Sequence, residues 1–306
     1  MRVTQGMLSN QVLYDIENNY QQLSQLQNEA STGNKINQPS DDPIGVQFVM
    51  QYDSETAYYQ QYQQNASQAN SALNYAQSAM SEAQTVVSQA RDLAVEASSG
   101  TETPTDLKAL GTEVGQLYNQ LVTVGNTQYN NQYIFNGQSV DTAPYSDADA
   151  ASTTTASGNV VYDLGDGVSL PVNTSGNDFF GQAVTTNPPT DSDQSDNAFY
   201  LLSQLQTALN NGDSQQAGDL LNGFDSRLDK MSDAQADVGA RSDRAQMMEN
   251  RMSDLSQNVT TLLANTQGAD MAQVLTQLSS AMAVQQASLE VGAQALVPTL
   301  VDFLKS

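Results

Sequence analysis

The chain contains no cysteine, no histidine and no tryptophan. Without cysteine it can form no disulfide and offers no thiolate nucleophile; without histidine it lacks both the usual zinc ligand and the usual proton shuttle near neutral pH. Basic residues are also scarce, 10 Lys and Arg against 34 Asp and Glu, for a net charge of −24. Such a chain repels nucleic-acid phosphates and anionic lipid surfaces, so neither nucleic acid nor membrane is expected as a partner. No Lys or Arg lies between Lys108 and Arg227, and nine Asp fall between Asp141 and Asp196, which makes the middle of the chain its acidic, solvated part. No uninterrupted apolar run approaches the ~18 residues of a membrane span. The start, Met1-Arg2-Val3-Thr4-Gln5-Gly6, has no apolar region of the secretory-signal type. These traits alone point to a cytoplasmic protein. Apolar residues make up 39% of the 306, below the usual ~45–50%. That suits long, thin helical packing better than one large core.

What is abundant is helical periodicity. A first helix is expected from about Leu8 to Ala30, with Leu13, Ile16, Tyr20 and Leu23 in steps of three and four, a narrow coiled-coil seam. A long second helix follows Pro43. Its stripe runs Tyr59, Tyr62, Ala66, Ala69, Leu73, Ala76, Met80, Ala83, Val87, Ala90, Ala94, Ala97, and the alanines imply close helix approach. Tyr52, Tyr58, Tyr59 and Tyr62 read as packing aromatics with wet hydroxyls. Thr103-Pro104-Thr105-Asp106 starts a third helix, expected to pack antiparallel to the second because the connection is short. From Tyr129 the period changes: Tyr133–Phe135 reads as a strand before an Asn136-Gly137 turn, and Val160–Leu170 as a hairpin about Gly165-Asp166-Gly167. Helices resume near Asp196, with Leu201, Leu202, Leu205 and Leu209 on one face before Asn211-Gly212. The next stripe slips near Arg241. Arg241, Arg244 and Arg251 there fit either a solvated, ion-paired face or a subunit contact. The last helix begins near Ala269-Asp270. Its stripe includes Met271, Leu275, Leu278, Met282, Leu289, Leu296, Leu300 and Phe303, with Gln285 and Gly292 weakening the seam. Its simplest partner is the first helix.

The fold class expected is mainly α: an elongated helical bundle with N- and C-terminal coiled-coil helices and a small β-rich insertion. The expected domains are 1–44 with 265–306, 45–140 with 196–264, and 141–195.

Between the first two helices lies Ser31-Thr32-Gly33-Asn34-Lys35-Ile36-Asn37-Gln38-Pro39-Ser40-Asp41-Asp42-Pro43. Gly33 suits a left-handed helix end, Pro39 stops continuation, Asp42 offers an N-cap and Pro43 fits the first helical position. This turn resembles the one after the first helix of flagellin-like proteins, and its Pro-Ser-Asp-Asp-Pro form is closer to the hook-associated proteins of the hook–filament junction than to flagellin. Asn131-Gln132-Tyr133-Ile134-Phe135-Asn136-Gly137-Gln138 is similar to the motif leading into that family's middle domain, and the ending Leu300-Val301-Asp302-Phe303-Leu304 also fits. The resemblance fades between about 141 and 195.

The resemblance implies a structural subunit exported unfolded through the flagellar type III channel, located outside the cell in the flagellum, without a cleaved signal peptide. It implies assembly with copies of itself, with flagellin and with a neighbouring hook-associated protein. A cytoplasmic export chaperone is implied near the C-terminal helices. The residues matching the family's terminal assembly helices are Leu13, Ile16, Tyr20, Leu23, Leu275, Leu278, Met282, Leu289, Leu296, Leu300 and Phe303. These ridges are expected to find proper cover only between molecules. Alternatives are flagellin itself and a surface adhesin using the β insertion. An enzyme is not expected, and neither cofactor nor metal: Asp191-Ser192-Asp193-Gln194-Ser195-Asp196 lacks the glycine and the twelfth-position acid of a calcium loop. Gly165-Asp166-Gly167 is turn chemistry, with no Gly-Lys-Ser/Thr after it.

Overall fold

The computed structural model describes residues 5–186, 188–189 and 192–296. It is mainly helical. The long helices are α1 (Gln5–Thr32), α2 (Pro43–Ser98), α3 (Pro104–Gly125), α6 (Ala198–Asn211), α8 (Leu221–Gln267) and α9 (Met271–Leu296). Short helices α4 (Gly176–Phe180), α5 (Ser192–Ser195) and α7 (Ser214–Asp219) lie between them, with strands β1 (Gln128–Tyr129), β2 (Gln132–Tyr133), β3 (Val161–Gly165) and β4 (Val168–Pro171). Both sheets are two-stranded antiparallel hairpins, β1 with β2 and β3 with β4. The chain forms two compact units, residues 1–58 with 255–306 and residues 59–254.

In the 59–254 unit, the alanine stripe of α2 is the core surface. Ala66, Ala69, Leu73, Met80, Ala83, Val87, Ala90, Ala94 and Ala97 are all fully buried. Here α8 runs antiparallel to α2. Gln84 Nε2 donates to Ser232 Oγ at 2.8 Å, and Ser242 Oγ donates to Asn70 Oδ1 at 2.8 Å. Helix α3 begins with a capping box: Thr103 Oγ1 accepts from the Asp106 N–H, and the Asp106 carboxylate accepts from the Thr103 N–H. It shares the core with α2, and Gln120 reaches Glu82 across the pair. Its other close neighbour is α6, which the short α2–α3 connection did not predict. Gly111 and Gly115 allow that approach: a Cβ would sit 2.9 Å from Asn210 Oδ1 at the first and 2.5 Å from Gln206 Nε2 at the second.

The segment 141–195 shares this core. Leu164, Leu170, Phe179 and Phe180 are buried in the same cluster as Leu73 and Phe199. Phe180 lies between Phe135 and Phe199, each with ring centroids 5.1 Å away, and the Tyr145 ring packs at a tilt 4.7 Å from Phe199. Burial pushes the Tyr145 hydroxyl pKa far up, so it stays a neutral phenol. The first hairpin turns at Asn130-Asn131, both at positive φ, so strand pairing ends at Tyr133 rather than running on to Phe135. The reason is that Phe135 is wholly buried in the aromatic cluster and Asn136 bonds the carbonyls of Ser139 and Thr142. Asp166-Gly167 makes the second turn, with Gly167 at φ +67.

A buried ion pair ties the insertion to α8. The Arg227 and Asp196 side chains are 2% and 3% exposed, and the guanidinium Nη2 pairs with the carboxylate. Arg227 Nε donates to the Asp196 carbonyl at 2.8 Å and Nη1 to the Phe179 carbonyl at 3.3 Å. Ser226 Oγ and Lys230 Nζ complete the Asp196 carboxylate, each at 2.9 Å. Asp196 is thus occupied by cations of its own chain. Asp191 lies outside the described residues, as does the side chain of Asp193.

In the other unit the 31–43 turn is bonded to the α8–α9 junction. Gly33 ends α1 at φ +73. Its carbonyl accepts from the Ala269 N–H at 2.9 Å, and the Lys35 N–H donates to the Gln267 carbonyl at 2.8 Å. Asp41 Oδ2 accepts from the Asn37 and Gln38 N–H groups at 3.0 and 2.9 Å. Those backbone donors hold its carboxyl below the usual value of 3.8. Asp42 Oδ1 accepts from the Ile44 and Gly45 N–H groups at 3.1 and 3.0 Å, with Pro43 as the first residue of α2. Ile36 is buried over Gly45, where a Cβ would stand 2.6 Å from Ile36 Cδ1.

Arg227→Ala leaves Asp196 buried and short of its main partner. It should lower the urea-unfolding free energy of the 59–254 unit by about 3–5 kcal/mol. Asp42→Ala should cost about 1 kcal/mol of α2 stability, seen as earlier loss of helicity on heating. Because the Asp41 pKa is depressed by folding, its contribution is present above the unfolded value of 3.8 and is lost as pH falls through the lower folded value. Protection of the Asn37 and Gln38 amides, measured against the intrinsic exchange rate at each pH, should fall over that acid window, and Asp41→Asn should abolish that change in protection.

Candidate assembly interface

Helices α1 and α9 pack side by side in antiparallel sense. Asn34 bridges Gly268 at one end, Asn19 Nδ2 donates to Ser288 Oγ at 2.9 Å midway, and Ile16 Cδ1 lies 2.9 Å from where a Gly292 Cβ would be. The residues turned inward repeat in steps of four and three. On α1 they are Val12, Ile16, Asn19, Leu23, Leu26 and Ala30; on α9 they are Val274, Leu278, Ala281, Gln285, Ser288 and Gly292. Of these, Leu26, Val274 and Gly292 are buried and the rest half-buried.

This seam differs from the stripe that hydrophobicity picks out. Ile16, Leu23 and Leu278 do lie in it. Leu13 and Tyr20 do not; they are 51% and 64% exposed. Leu275, Met282 and Leu289 are likewise 52%, 42% and 52% exposed. The side chain of Leu296 and all of Leu300 and Phe303 lie outside the described residues. The displaced residues share one heptad position. With the seam written as a and d, Leu13 and Tyr20 fall at e on α1, and Leu275, Met282 and Leu289 fall at e on α9. In an antiparallel pair, e positions face e positions, so all five lie along one flank.

The opposite flank, built from g positions, is different. Val284 and Val291 of α9 meet Asp15 of α1 across a groove of about 290 Å³, floored by Val12, Ile16, Ala287 and Ser288. Position g of α1 continues with Gln22 and Glu29. One flank therefore carries five large apolar side chains and no charge, with Gln27 its polar member, and the other carries acidic groups.

Charge is nearly absent from α9. Its 26 residues include one ionisable side chain, Glu290. Helix α1 has Asp15, Glu17 and Glu29 and no basic residue. A helix that faced water on three sides would be laced with charge. A helix with a single charge and apolar residues at most e and g positions has the composition of one enclosed by further helices.

Two readings from the sequence are narrowed by the structure. Arg241 donates to the Asn173 carbonyl at 3.2 Å and pairs with Asp237, so it works within its own chain, whereas Arg244 and Arg251 are exposed. The aromatics near the start of α2 are partly open: Phe48 stacks on Tyr52 at 6.3 Å, and Tyr58 is exposed. Sequence reasoning passed over Arg227. Its one signal was its position as the first basic residue after a long acidic interval.

Comparison with known proteins agrees with this architecture. Residues 3–140 match the bacterial flagellin N-terminal helical region, and residues 221–304 match the bacterial flagellin C-terminal helical region. The chain is 24% identical over 304 residues to flagellar hook-associated protein 3 of Salmonella typhimurium, covering 95% of this chain and 94% of that one. It is 27% identical over 161 residues to a flagellin of Clostridium tyrobutyricum, which is 52% of this chain and 43% of the flagellin. The chain thus spans less than half the length of the clostridial flagellin and nearly all of the Salmonella protein. Among solved structures, a flagellar hook-associated protein from Vibrio parahaemolyticus aligns with a TM-score of 0.63 at 18% identity, over 74% of this chain and 100% of that one. FlgL of Bacillus cereus aligns with a TM-score of 0.57 at 19% identity, over 69% and 97%. These structures share the fold. With both terminal helical regions present, and packed on each other as α1 and α9, the chain belongs to the bacterial flagellin family.

Proposed function

We propose that this protein is a structural subunit of the bacterial flagellum, a hook–filament junction adaptor assembled through its terminal helices. It stands between another hook-associated protein and flagellin, outside the cell. It reaches that place by the type III route, and a cytoplasmic export chaperone holds the C-terminal helices beforehand. The observation that carries this reading is the uncovered e flank. Leu13, Tyr20, Leu275, Met282 and Leu289 stand open on helices almost without charge. The full-length match to the Salmonella hook-associated protein supports the junction over the filament.

The occupant of the flank is a second copy of the same helices. Two such hairpins meet without like-charge repulsion along α9. Full burial of each apolar side chain contributes roughly 1.5–3 kcal/mol, so even partial cover of five outweighs the cost of ordering them. The apolar flank meets apolar surface of the second copy, clear of Asp15 and Glu29 on the other flank. Where that surface is a different patch of the neighbour, the contact is heterologous and propagates into a ring or helical layer.

Leu289→Glu and Tyr20→Glu should leave monomer helicity unchanged and stability within about 0.5 kcal/mol, since both positions are exposed. They should nevertheless abolish self-association in sedimentation and leave cells without attached filaments. Ile16→Glu and Leu278→Glu should instead unfold the α1/α9 pair in the monomer. Swimming cells with intact filaments in the flank variants would reject the reading. The match to a flagellin keeps the filament-subunit reading in play. Purified protein that polymerises by itself into long filaments would favour it over the junction.

A further inference from the structure

The α1/α9 seam is not the most apolar one these helices can make. Turning each by about half a position, ~50° about its axis, would keep the a residues and replace Val12, Asn19 and Leu26 by Leu13, Tyr20 and Gln27, and Val274, Ala281 and Ser288 by Leu275, Met282 and Leu289. Ile16, Leu23 and Leu278 would serve in both arrangements. Burial by itself favours the turned pair, most of all in the half farther from the 33–36 and 267–269 anchor. There the observed seam contains Asn19 and Ser288 where the turned one would hold Tyr20 and Leu289, while Gln285 and Gly292 belong to both.

Three specific features oppose that rotation. The backbone bonds between Gly33 and Ala269 and between Lys35 and Gln267 fix the pair at its base. Asn19 and Ser288 form the side-chain hydrogen bond between the two helices among the described residues, 14 residues from Gly33 along α1, or ~21 Å. Ile16 and Val12 close over Gly292, where any side chain would collide with Ile16. An apolar stripe accepts several rotations of its partner, while a hydrogen bond needs both groups in place; a single polar pair in a seam sets alignment at a cost in stability.

We infer that Asn19 and Ser288 form a phase lock. They hold α1 and α9 in the rotation that keeps the more apolar stripe outward, reserved for a second copy. The second-copy clause rests on the function proposed above; the lock itself is a property of the single chain. Asn19 and Ser288 are positioning residues that act through the orientation of Leu13, Tyr20, Leu275, Met282 and Leu289.

The absence of tryptophan and cysteine makes the test clean. In the full-length protein, kept monomeric by dilution, Tyr20→Trp should fluoresce as an exposed indole. Adding Asn19→Ala and Ser288→Ala should shift that emission to the blue with helicity retained. In parallel, Asp15→Cys with Val291→Cys reports the g flank. Its disulfide should form about fivefold more slowly once the lock is removed, as expected for losing the net worth of one hydrogen bond. Adding Leu13→Gln and Leu289→Gln removes the competing stripe and should restore the original rate. Unchanged emission and disulfide rate would overturn the inference. So would loss of helicity with the indole still exposed, since the pair would then hold the helices together and not set their phase. None of these readouts requires copies to assemble, so failure of the lock and failure of the junction reading are separable.

Discussion

A helix pair can bury one stripe from each partner, and α1 and α9 each carry more apolar surface than one stripe. That surplus is the constraint on the terminal unit. The seam takes Val12, Ile16, Leu23, Leu26, Val274 and Leu278, and the e positions are left over. An isolated globular protein would place charge at those positions, because e and g residues in a two-helix pair border water. Here α9 offers Glu290 and nothing else. The association proposed for it would follow from the same hydrophobic term that forms the hairpin.

The 59–254 unit solves the opposite problem. Its apolar content is concentrated in the alanine stripe of α2 and in a small aromatic cluster, and its loops are acidic. The insertion has too few apolar residues for a core of its own, so Phe179 and Phe180 join Phe135, Tyr145 and Phe199 in the bundle's cluster. Arg227 then crosses from α8 to bind Asp196 and the Phe179 carbonyl. A buried pair of this kind adds little net stability compared with an apolar substitute, but it is unforgiving of other placements. It fixes where the chain leaves the insertion and returns to helix.

Much of this was readable in the residues. The 3- and 4-residue steps marked α1, α2, α3, α8 and α9, and the stop and start chemistry of Gly33, Asp42, Pro43 and Thr103 marked their ends. The buried alanines of α2 followed directly from their spacing. The phase of α1 and α9 was not readable. Leu13 and Tyr20 outrank Val12 and Asn19 in hydrophobicity, so a seam chosen by apolar content takes the wrong face of α1. The aromatic-glycine motif was also read one step too simply: Phe135 looked like a strand residue because a buried strand and a buried loop end share the same apolar signal.

Sequence by itself determined the periods, the helix ends, the chemistry excluded by missing cysteine and histidine, and the family turn at 31–43. Each depends on neighbours a few residues away, through backbone hydrogen bonds, caps and side-chain spacing. Only the tertiary structure decided which stripe of α1 and α9 turns inward, that Arg227 is buried against Asp196, and that α3 approaches α6 through Gly111 and Gly115. Those choices compare surfaces from distant parts of the chain. A hydrogen bond such as Asn19 to Ser288, or a gap left by Gly292, can outweigh the local hydrophobic ranking.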